Sequence, residues 1–188
     1  MPVVSITLLP GYSAQARERL VERAARSVRS VIAASSAGTT VFVQEAATYQ
    51  RDGKRFTAGG PELPDASALV RHFLQRMQVR DLEAARKLLA PDFVMTFPGA
   101  PPMHDFAELL DWAKTRYSRI GKQFERIDEC WGEDGTVVYC SGTLEGVWLD
   151  GTEFSGIRFI DRFEVAGGLI ARQDVWNDLG ETMRRRQG

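Results

Sequence analysis

Four stretches with the composition of β-strands follow one another between residues 124 and 176. They are Phe124–Trp131, Thr136–Leu149, Thr152–Val165 and Leu169–Trp176. The joints between them include Asp150-Gly151 and Gly167-Gly168, which are typical of tight hairpin turns. A run of strands joined by so few residues can form little other than an antiparallel sheet.

The third strand carries one acidic residue on an otherwise apolar face. The odd positions of this strand share one face, because side chains alternate along a strand; they are Ser155, Ile157, Phe159, Asp161, Phe163 and Val165. A carboxylate between two phenylalanines loses its water, so the pKa of Asp161 should rise unless a cation pairs with it. Asp161 is therefore a candidate for proton chemistry, and a buried ion pair with Arg158 or Arg116 is the structural alternative.

Helical patterns precede these strands. We expect helices at 66–78, 81–89 and 104–119, with a short strand at 93–97 and an irregular loop at 98–102. Helices followed by an antiparallel sheet indicate an α+β fold in which the helices cover one face of the sheet.

The first 56 residues follow a different order. A strand at 3–9, a helix at 14–34 capped by Ser13 and a strand at 39–45 predict a β-α-β module, followed by a polar stretch. Glycines and prolines in Thr57–Asp65 are typical of a linker. We therefore expect a module at 1–56, a linker at 57–65 and a second domain at 66–188.

Composition restricts the possible partners. The 24 basic and 25 acidic residues give a formal charge of −1, which argues against nucleic acid as a partner. No apolar run reaches the ~18 residues of a membrane span, and the start lacks a basic leader, so we expect a cytoplasmic protein.

Cys130 and Cys140 have no metal-ligand spacing with His72 and His104, and nucleotide-binding and hydrolase motifs are missing. We expect no metal and no cofactor, and we interpret Arg184–Arg186 as a solvated tail.

The N-terminal module resembles a subunit of the 4-oxalocrotonate tautomerases. The resemblance rests on Met-Pro-Val-Val-Ser-Ile-Thr-Leu-Leu-Pro-Gly, the long helix and the strand Val41–Glu45. It implies that Met1 is removed and that the nitrogen of Pro2 acts as a general base, since burial or positive charge lowers the pKa of such an amine from ~8. Tyr12 and Phe42 occupy the positions of the family's two arginines. The alternatives are therefore that Pro2 only begins an edge strand and that the module only assembles a homo-oligomer.

Residues 68–178 resemble nuclear transport factor 2-like domains, in particular the SnoaL-like cyclases and the ketosteroid isomerases. The motifs are Arg80-Asp81-Leu82, Leu88–Phe93, Ile160–Phe163 and Gly168–Trp176. The resemblance implies a cone-shaped, curved antiparallel sheet packed on helices around an apolar pocket.

The same resemblance implies roles for two acids. Asp161 corresponds to an isomerase aspartic acid that stays protonated and donates to an oxyanion. Asp174 corresponds to an aspartate that serves as general acid or base in the last strand, with a surface charge as the alternative. Phe73 and Phe97 occupy the positions of the isomerase tyrosine and base, so a faithful ketosteroid isomerase is not expected.

A pocket of this kind favours a flat, apolar ligand. The candidate ligand-binding residues are Phe97, His104, Tyr117, Trp131, Tyr139, Trp148, Phe159 and Trp176. We expect a small-molecule isomerase or cyclase that performs cofactor-independent acid–base chemistry on a carbonyl-containing, apolar or polycyclic compound. The alternative is a non-catalytic protein that binds a hydrophobic ligand or a partner.

Overall fold

The structure, a computed structural model, describes residues 1–187 of the 188-residue chain. The chain divides into two compact units, Met1–Glu62 and Leu63–Gly188. The division lies inside the segment 57–65, where the sequence indicates a linker.

The first unit begins with a β-α-β arrangement. Strands β1 (Val3–Leu8) and β2 (Thr40–Glu45) run parallel, and helix α1 (Ala14–Val31) connects them. The Oγ of Ser13 accepts a hydrogen bond from the Ala16 N–H at 3.1 Å, so the expected cap begins the helix.

The polar stretch after β2 contains a hairpin that was not predicted. Strands β3 (Tyr49–Arg51) and β4 (Lys54–Phe56) pair antiparallel. Asp52 and Gly53 join them with φ angles of 49° and 72°, the left-handed conformation that a two-residue hairpin turn requires. Asp-Gly is a hairpin turn signal, but the residues on either side of it are mostly polar or charged, so the sequence did not indicate two strands there.

The first unit has no fully buried residue. On the more exposed face of its two-stranded sheet, the side chains of Val3 and Phe42 are 62% and 56% exposed. A unit with so little buried apolar area has little hydrophobic stabilisation of its own.

The second unit packs helices on one face of a five-stranded sheet. Its helices are α2 (Ala66–Gln78), α3 (Leu82–Arg86), α4 (Phe106–Lys114) and α5 (Leu179–Gln187). Its strands are β5 (Leu89–Thr96), β6 (Tyr117–Trp131), β7 (Thr136–Trp148), β8 (Glu153–Ala166) and β9 (Leu169–Asn177). Their order is β5-β9-β8-β7-β6, with β5 parallel to β9 and the other pairs antiparallel. The predicted α+β class is confirmed for this unit.

Bulges and glycines bend this sheet. The pairing of β6 with β7 shifts register twice, between Tyr117 and Arg119 and between Phe124 and Arg126. A Cβ atom on Gly142 would lie 1.9 Å from the Gln123 carbonyl oxygen, and one on Gly146 would lie 2.1 Å from the Arg119 carbonyl oxygen. The bulged β6 can therefore approach β7 only where β7 carries no side chain. The resulting curvature makes the helix-facing side of the sheet, here called the inner face, concave.

Two apolar clusters cover the inner face. The larger one lies beneath α2 and α4, where the ring of Phe163 meets that of Phe73 edge-on at 5.9 Å. The smaller one groups Leu144, Trp148, Phe154, Ile157, Phe159 and Leu179. The predicted alternation in β8 is confirmed from Ile157 to Val165, since Ile157, Phe159, Asp161, Phe163 and Val165 are all buried. It was wrong for Ser155, which is exposed while Phe154 is buried, because the pairing of β7 with β8 shifts register there.

Three predicted elements were wrong in extent or type. The helix expected at 104–119 ends at Lys114, where Thr115 Oγ1 donates to the Trp112 carbonyl, and the next residues already belong to β6. The helix expected at 81–89 covers only Leu82–Arg86. The arginines at 184–186 lie in α5 rather than in a tail, and Arg186 donates to Asp150 at 2.8 Å. No helix among the described residues is long and apolar enough to cross a membrane.

Candidate functional site

A cavity of about 190 Å³ lies between the two apolar clusters of the second unit. Its lining is mostly apolar and comes from α2, the α2–α3 turn, α4, β6 and the inner faces of β7, β8 and β9. The lining includes Phe97, Tyr117, Phe159, Arg80, Lys122 and Leu179.

Lys122 and Asp161 form an ion pair at the wall of this cavity. Lys122 lies on β6 and reaches across β7 to the carboxylate on β8, where its ammonium donates to Asp161 Oδ2. The ammonium also lies 4.6 Å from the centre of the Phe159 ring, a cation–π distance. Lys122 lines the cavity and its side chain is 24% exposed, whereas the side chain of Asp161 is fully buried behind it.

Burial sets the electrostatics of the pair. Loss of water raises the pKa of Asp161, and the charge of Lys122 opposes that rise only in part. No described residue donates to Asp161 Oδ1 in hydrogen-bonding geometry. The neighbouring thiol of Cys140 lies opposite Asp161 in the sheet register, and burial followed by the charge of Asp161 raises its pKa to about 12. Cys140 is therefore a neutral core residue.

Tyr117 contributes a hydroxyl to the cavity lining. Burial raises its pKa, and the charges of Arg116 and Arg80 oppose the rise without cancelling it. The phenol therefore keeps its proton at neutral pH and can donate a hydrogen bond to a ligand oxygen.

Asp174 lies on the opposite face of the sheet from Asp161, so the two candidate acids do not share a pocket. Thr96 Oγ1 donates to its carboxylate at 2.7 Å, Arg172 at 2.9 Å and Arg162 at 3.0 Å. Burial would raise the pKa of Asp174, but these hydrogen bonds and charges outweigh it and lower the pKa. Asp174 is thus an ionised carboxylate held between two arginines on the outer face.

The structure divides the aromatic candidates into two groups. Phe97, Tyr117 and Phe159 line the cavity, as expected. Four others lie elsewhere, and the predictions for them were wrong in position: Trp131, Tyr139, Trp148 and Trp176. Trp148 is buried beside Phe154 with ring centres 4.4 Å apart, so it belongs to the core.

Trp131, Tyr139 and Trp176 are exposed and lie outside the core. Trp176 is 52% exposed on the outer face, and Tyr139 pairs with Arg162 on that face. Trp131 ends β6, and its indole N–H donates to Glu129 at 2.7 Å.

His104 and Pro2 also lie away from this cavity. His104 is exposed beside a separate cavity, and its backbone N–H donates to Glu108 at 2.8 Å, where it helps to begin α4. Pro2 lies in the first unit, where its carbonyl accepts a hydrogen bond from the Thr40 N–H at 3.1 Å beside the start of β1. Within residues 1–187, no group of three or more His, Cys, Asp or Glu side chains could hold a metal ion.

Two charged residues of the lining were missed from the sequence. Lys122 falls between the helix expected at 104–119 and the strand expected at 124–131, because the bulged, polar start of β6 shows no alternation. Arg80 enters the sequence prediction only through a family motif. A signal for Lys122 existed, since the chain has few lysines and a buried Asp161 requires a nearby cation.

A cone of this kind, a curved sheet and helices around an apolar cavity, is found in solved structures. A nuclear transport factor 2-like protein of unknown function from Burkholderia pseudomallei is 20% identical, with a TM-score of 0.54 over 63% of this chain and 94% of that one. A protein from Xanthomonas campestris designated a polyketide cyclase is 21% identical, with a TM-score of 0.52 over 63% and 94%. TerC, crystallised with polyporic acid, is 15% identical, with a TM-score of 0.52 over 65% and 98%. These likenesses define the fold of the second unit as nuclear transport factor 2-like.

The family follows from the sequence of the same unit. The model of the SnoaL-like domain matches residues 70–173, more than half of the chain, and the chain belongs to that family. No curated protein matches the sequence.

Proposed function

We propose that the second unit is a cyclase- or isomerase-type enzyme that stabilises the enolate of a carbonyl compound bound in the cavity. The observation that carries this proposal is the Lys122 ammonium, held by a fully buried aspartate at the wall of an apolar cavity. A cationic donor in a water-poor site stabilises the negative charge that develops on a carbonyl oxygen when an α-proton leaves. The neighbours designated polyketide cyclases agree with this class of reaction.

Each residue has a distinct role in this proposal. Lys122 is the catalytic residue, because its ammonium reaches the ligand space and donates to the enolate oxygen. Asp161 is a positioning residue that fixes Lys122. Tyr117 keeps its proton and supplies a second hydrogen-bond donor. When the enolate carbon bonds to a second carbonyl carbon, the oxygen of that second carbonyl becomes an alkoxide, and Tyr117 donates to it.

The lining also restricts the substrate. No carboxylate is among the described residues that line the cavity, so a strong general base is missing from its wall. The substrate should therefore contain an acidic carbon, such as the methylene of a 1,3-dicarbonyl, whose proton passes to water. An apolar, aromatic body would fill the remaining space.

Hydrogen–deuterium exchange at the α-carbon of benzoylacetone, an aromatic 1,3-diketone, tests this proposal by NMR. We expect the protein to accelerate exchange, and Lys122→Met to lower the acceleration by about tenfold or more, as for the loss of one oxyanion donor. Lys122→Arg should retain part of it. Lys114→Met is the matched control, because Lys114 is an exposed residue of α4 that pairs with Asp111 and does not line the cavity.

Exchange that is equally fast in Lys122→Met and in the wild type would refute the catalytic role. Binding of the diketone without accelerated exchange would instead support the alternative, a non-catalytic ligand-binding protein.

We also propose that the first unit is a tautomerase-like assembly module. Its parallel β-α-β arrangement and the lack of any buried residue support this role, because such a unit gains its core from further copies. Phe42→Asp, on the exposed sheet face, should lower the oligomeric state in analytical ultracentrifugation, whereas Val79→Asp in the second unit should not. An unchanged mass in Phe42→Asp would contradict the proposal.

Chemistry at Pro2 depends on the removal of Met1, which frees the prolyl nitrogen. Intact mass spectrometry of the purified protein decides this point. If Met1 is retained, the nitrogen of Pro2 is an amide and the unit serves assembly alone.

A further inference from the structure

The cavity wall carries one cation that has no partner. Arg80 and Lys122 are the charged residues among the described lining, and Lys122 is paired with Asp161. Arg80 forms no salt bridge with any residue from 1 to 187. The adjacent acid, Asp81, accepts from the Ala84 N–H and pairs with Arg76 instead.

Arg80 also occupies an unfavourable backbone position for an arginine. It follows the end of α2 with a φ of 61°, and its N–H donates to the Met77 carbonyl at 3.2 Å. Glycine or asparagine is preferred at such a left-handed helix end, because other side chains cost conformational energy there. An arginine in this place therefore favours a role for its side chain.

The location of Arg80 suits contact with the polar end of a ligand. Among the lining residues, Gln78, Arg80 and Phe124 are exposed, which marks where the cavity meets solvent. The guanidinium of Arg116 lies nearby: it stacks 4.7 Å over the lining residue Trp112, and its charge acts with that of Arg80 on Tyr117. The rim is thus electropositive, while the interior is apolar.

We propose that Arg80 determines specificity by binding the carboxylate of an aromatic or polycyclic acid whose apolar body enters the cavity. A guanidinium binds a carboxylate with two parallel hydrogen bonds, and the lining offers no competing acid. The inference deepens the proposed function, since it names the substrate class for the same cavity. It concerns binding at the rim and does not require that Lys122 is catalytic.

Isothermal titration of 2-naphthoate and 2-naphthamide tests the inference, because the two probes share a ring system and differ in charge. Neither has an acidic α-carbon, so a failure here and a failure of the proposed enolate chemistry are separate results. At low salt we expect the wild type to bind the acid about tenfold more tightly than the amide, the effect of one charge-assisted contact.

Arg80→Asn should bind the two probes within about twofold of each other and keep the wild-type affinity for the amide, since asparagine tolerates the left-handed conformation. Arg126→Gln is the matched control, because it removes an exposed arginine outside the cavity that pairs with Asp128; it should keep the full preference. A tenfold preference that persists in Arg80→Asn, or is missing from the wild type, would overturn the inference. Salt should weaken the preference of the wild type but leave Arg80→Asn unaffected.

Discussion

The two members of the Lys122–Asp161 pair should contribute unequally to stability. Asp161 has no exposed side-chain area, whereas the side chain of Lys122 is 24% exposed. Lys122→Met leaves a carboxylate that water cannot reach, so we expect a loss of about 3–5 kcal/mol in the free energy of unfolding at pH 8. Asp161→Asn leaves an ammonium that can reach solvent and keeps an acceptor for it, so we expect a loss of about 1 kcal/mol.

The pH dependence provides a second signature of the same pair. The raised pKa of Asp161 means that the folded protein binds more protons than the unfolded chain between about pH 3.9 and the folded pKa. Stability therefore falls as pH rises through this window. Lys122→Met removes the opposing charge and extends the window upward. Its deficit should therefore be smaller at pH 5 than at pH 8, by about 1.4 kcal/mol for each pH unit of this extension that lies between the two values. Asp161→Asn should not show this recovery.

Urea denaturation followed by tryptophan fluorescence measures these effects for the second unit, because all 4 tryptophans lie beyond residue 62. The double variant Lys122→Met with Asp161→Asn should be more stable than Lys122→Met alone by about 2 kcal/mol or more, the coupling expected for a buried pair. Equal losses in the two single variants, or a deficit of Lys122→Met that is the same at pH 5 and pH 8, would refute the reasoning.

Three further predictions concern the frame of the cavity. Asp174→Asn should cost about 2–3 kcal/mol without altering ligand affinity, because two arginines lose a charged partner on the outer face. The lowered pKa of Asp174 means that the wild type loses this contribution as pH falls below about 4, while the variant does not, which acid melting curves would reveal. Gly142→Ala should unfold or lose more than about 3 kcal/mol, whereas Gly180→Ala, with open space around it, should be neutral or stabilising in thermal melts. Leu179→Ala should cost about 2–4 kcal/mol and admit bulkier ligands in the titration assay, because this buried side chain packs against the cavity.

Local patterns allowed much of the second unit to be predicted. Hairpin turns located β7, β8 and β9, and alternation identified the buried face of β8, because that strand has one buried and one more exposed face. The same alternation identified Asp161 as a buried acid. In the first unit the cap at Ser13 located the start of α1, because a cap depends only on neighbouring residues.

Long-range geometry limited the prediction of the site. Gln173, Asp174 and Val175 are all buried, so alternation alone could not assign Asp174 to a face; its pairing with Arg162 decides that question. Lys122 reaches Asp161 from 39 residues away. It crosses β7 from β6, a strand whose bulged start shows no alternation. The burial of Trp148 depends on a small second cluster, which no sequence period indicates.

The shape of the cavity and its selectivity for ligands depend on different residues, and the two glycines of β7 belong to the first group. Gly142 and Gly146 bring two backbones together and so set how deeply the sheet is hollowed, while none of the groups proposed to bind a ligand takes part in that contact. Changes at the rim or the wall can therefore redirect the protein to new compounds while the main-chain scaffold stays intact. A change at either glycine would instead alter the shape of the cavity, whichever ligand binds there.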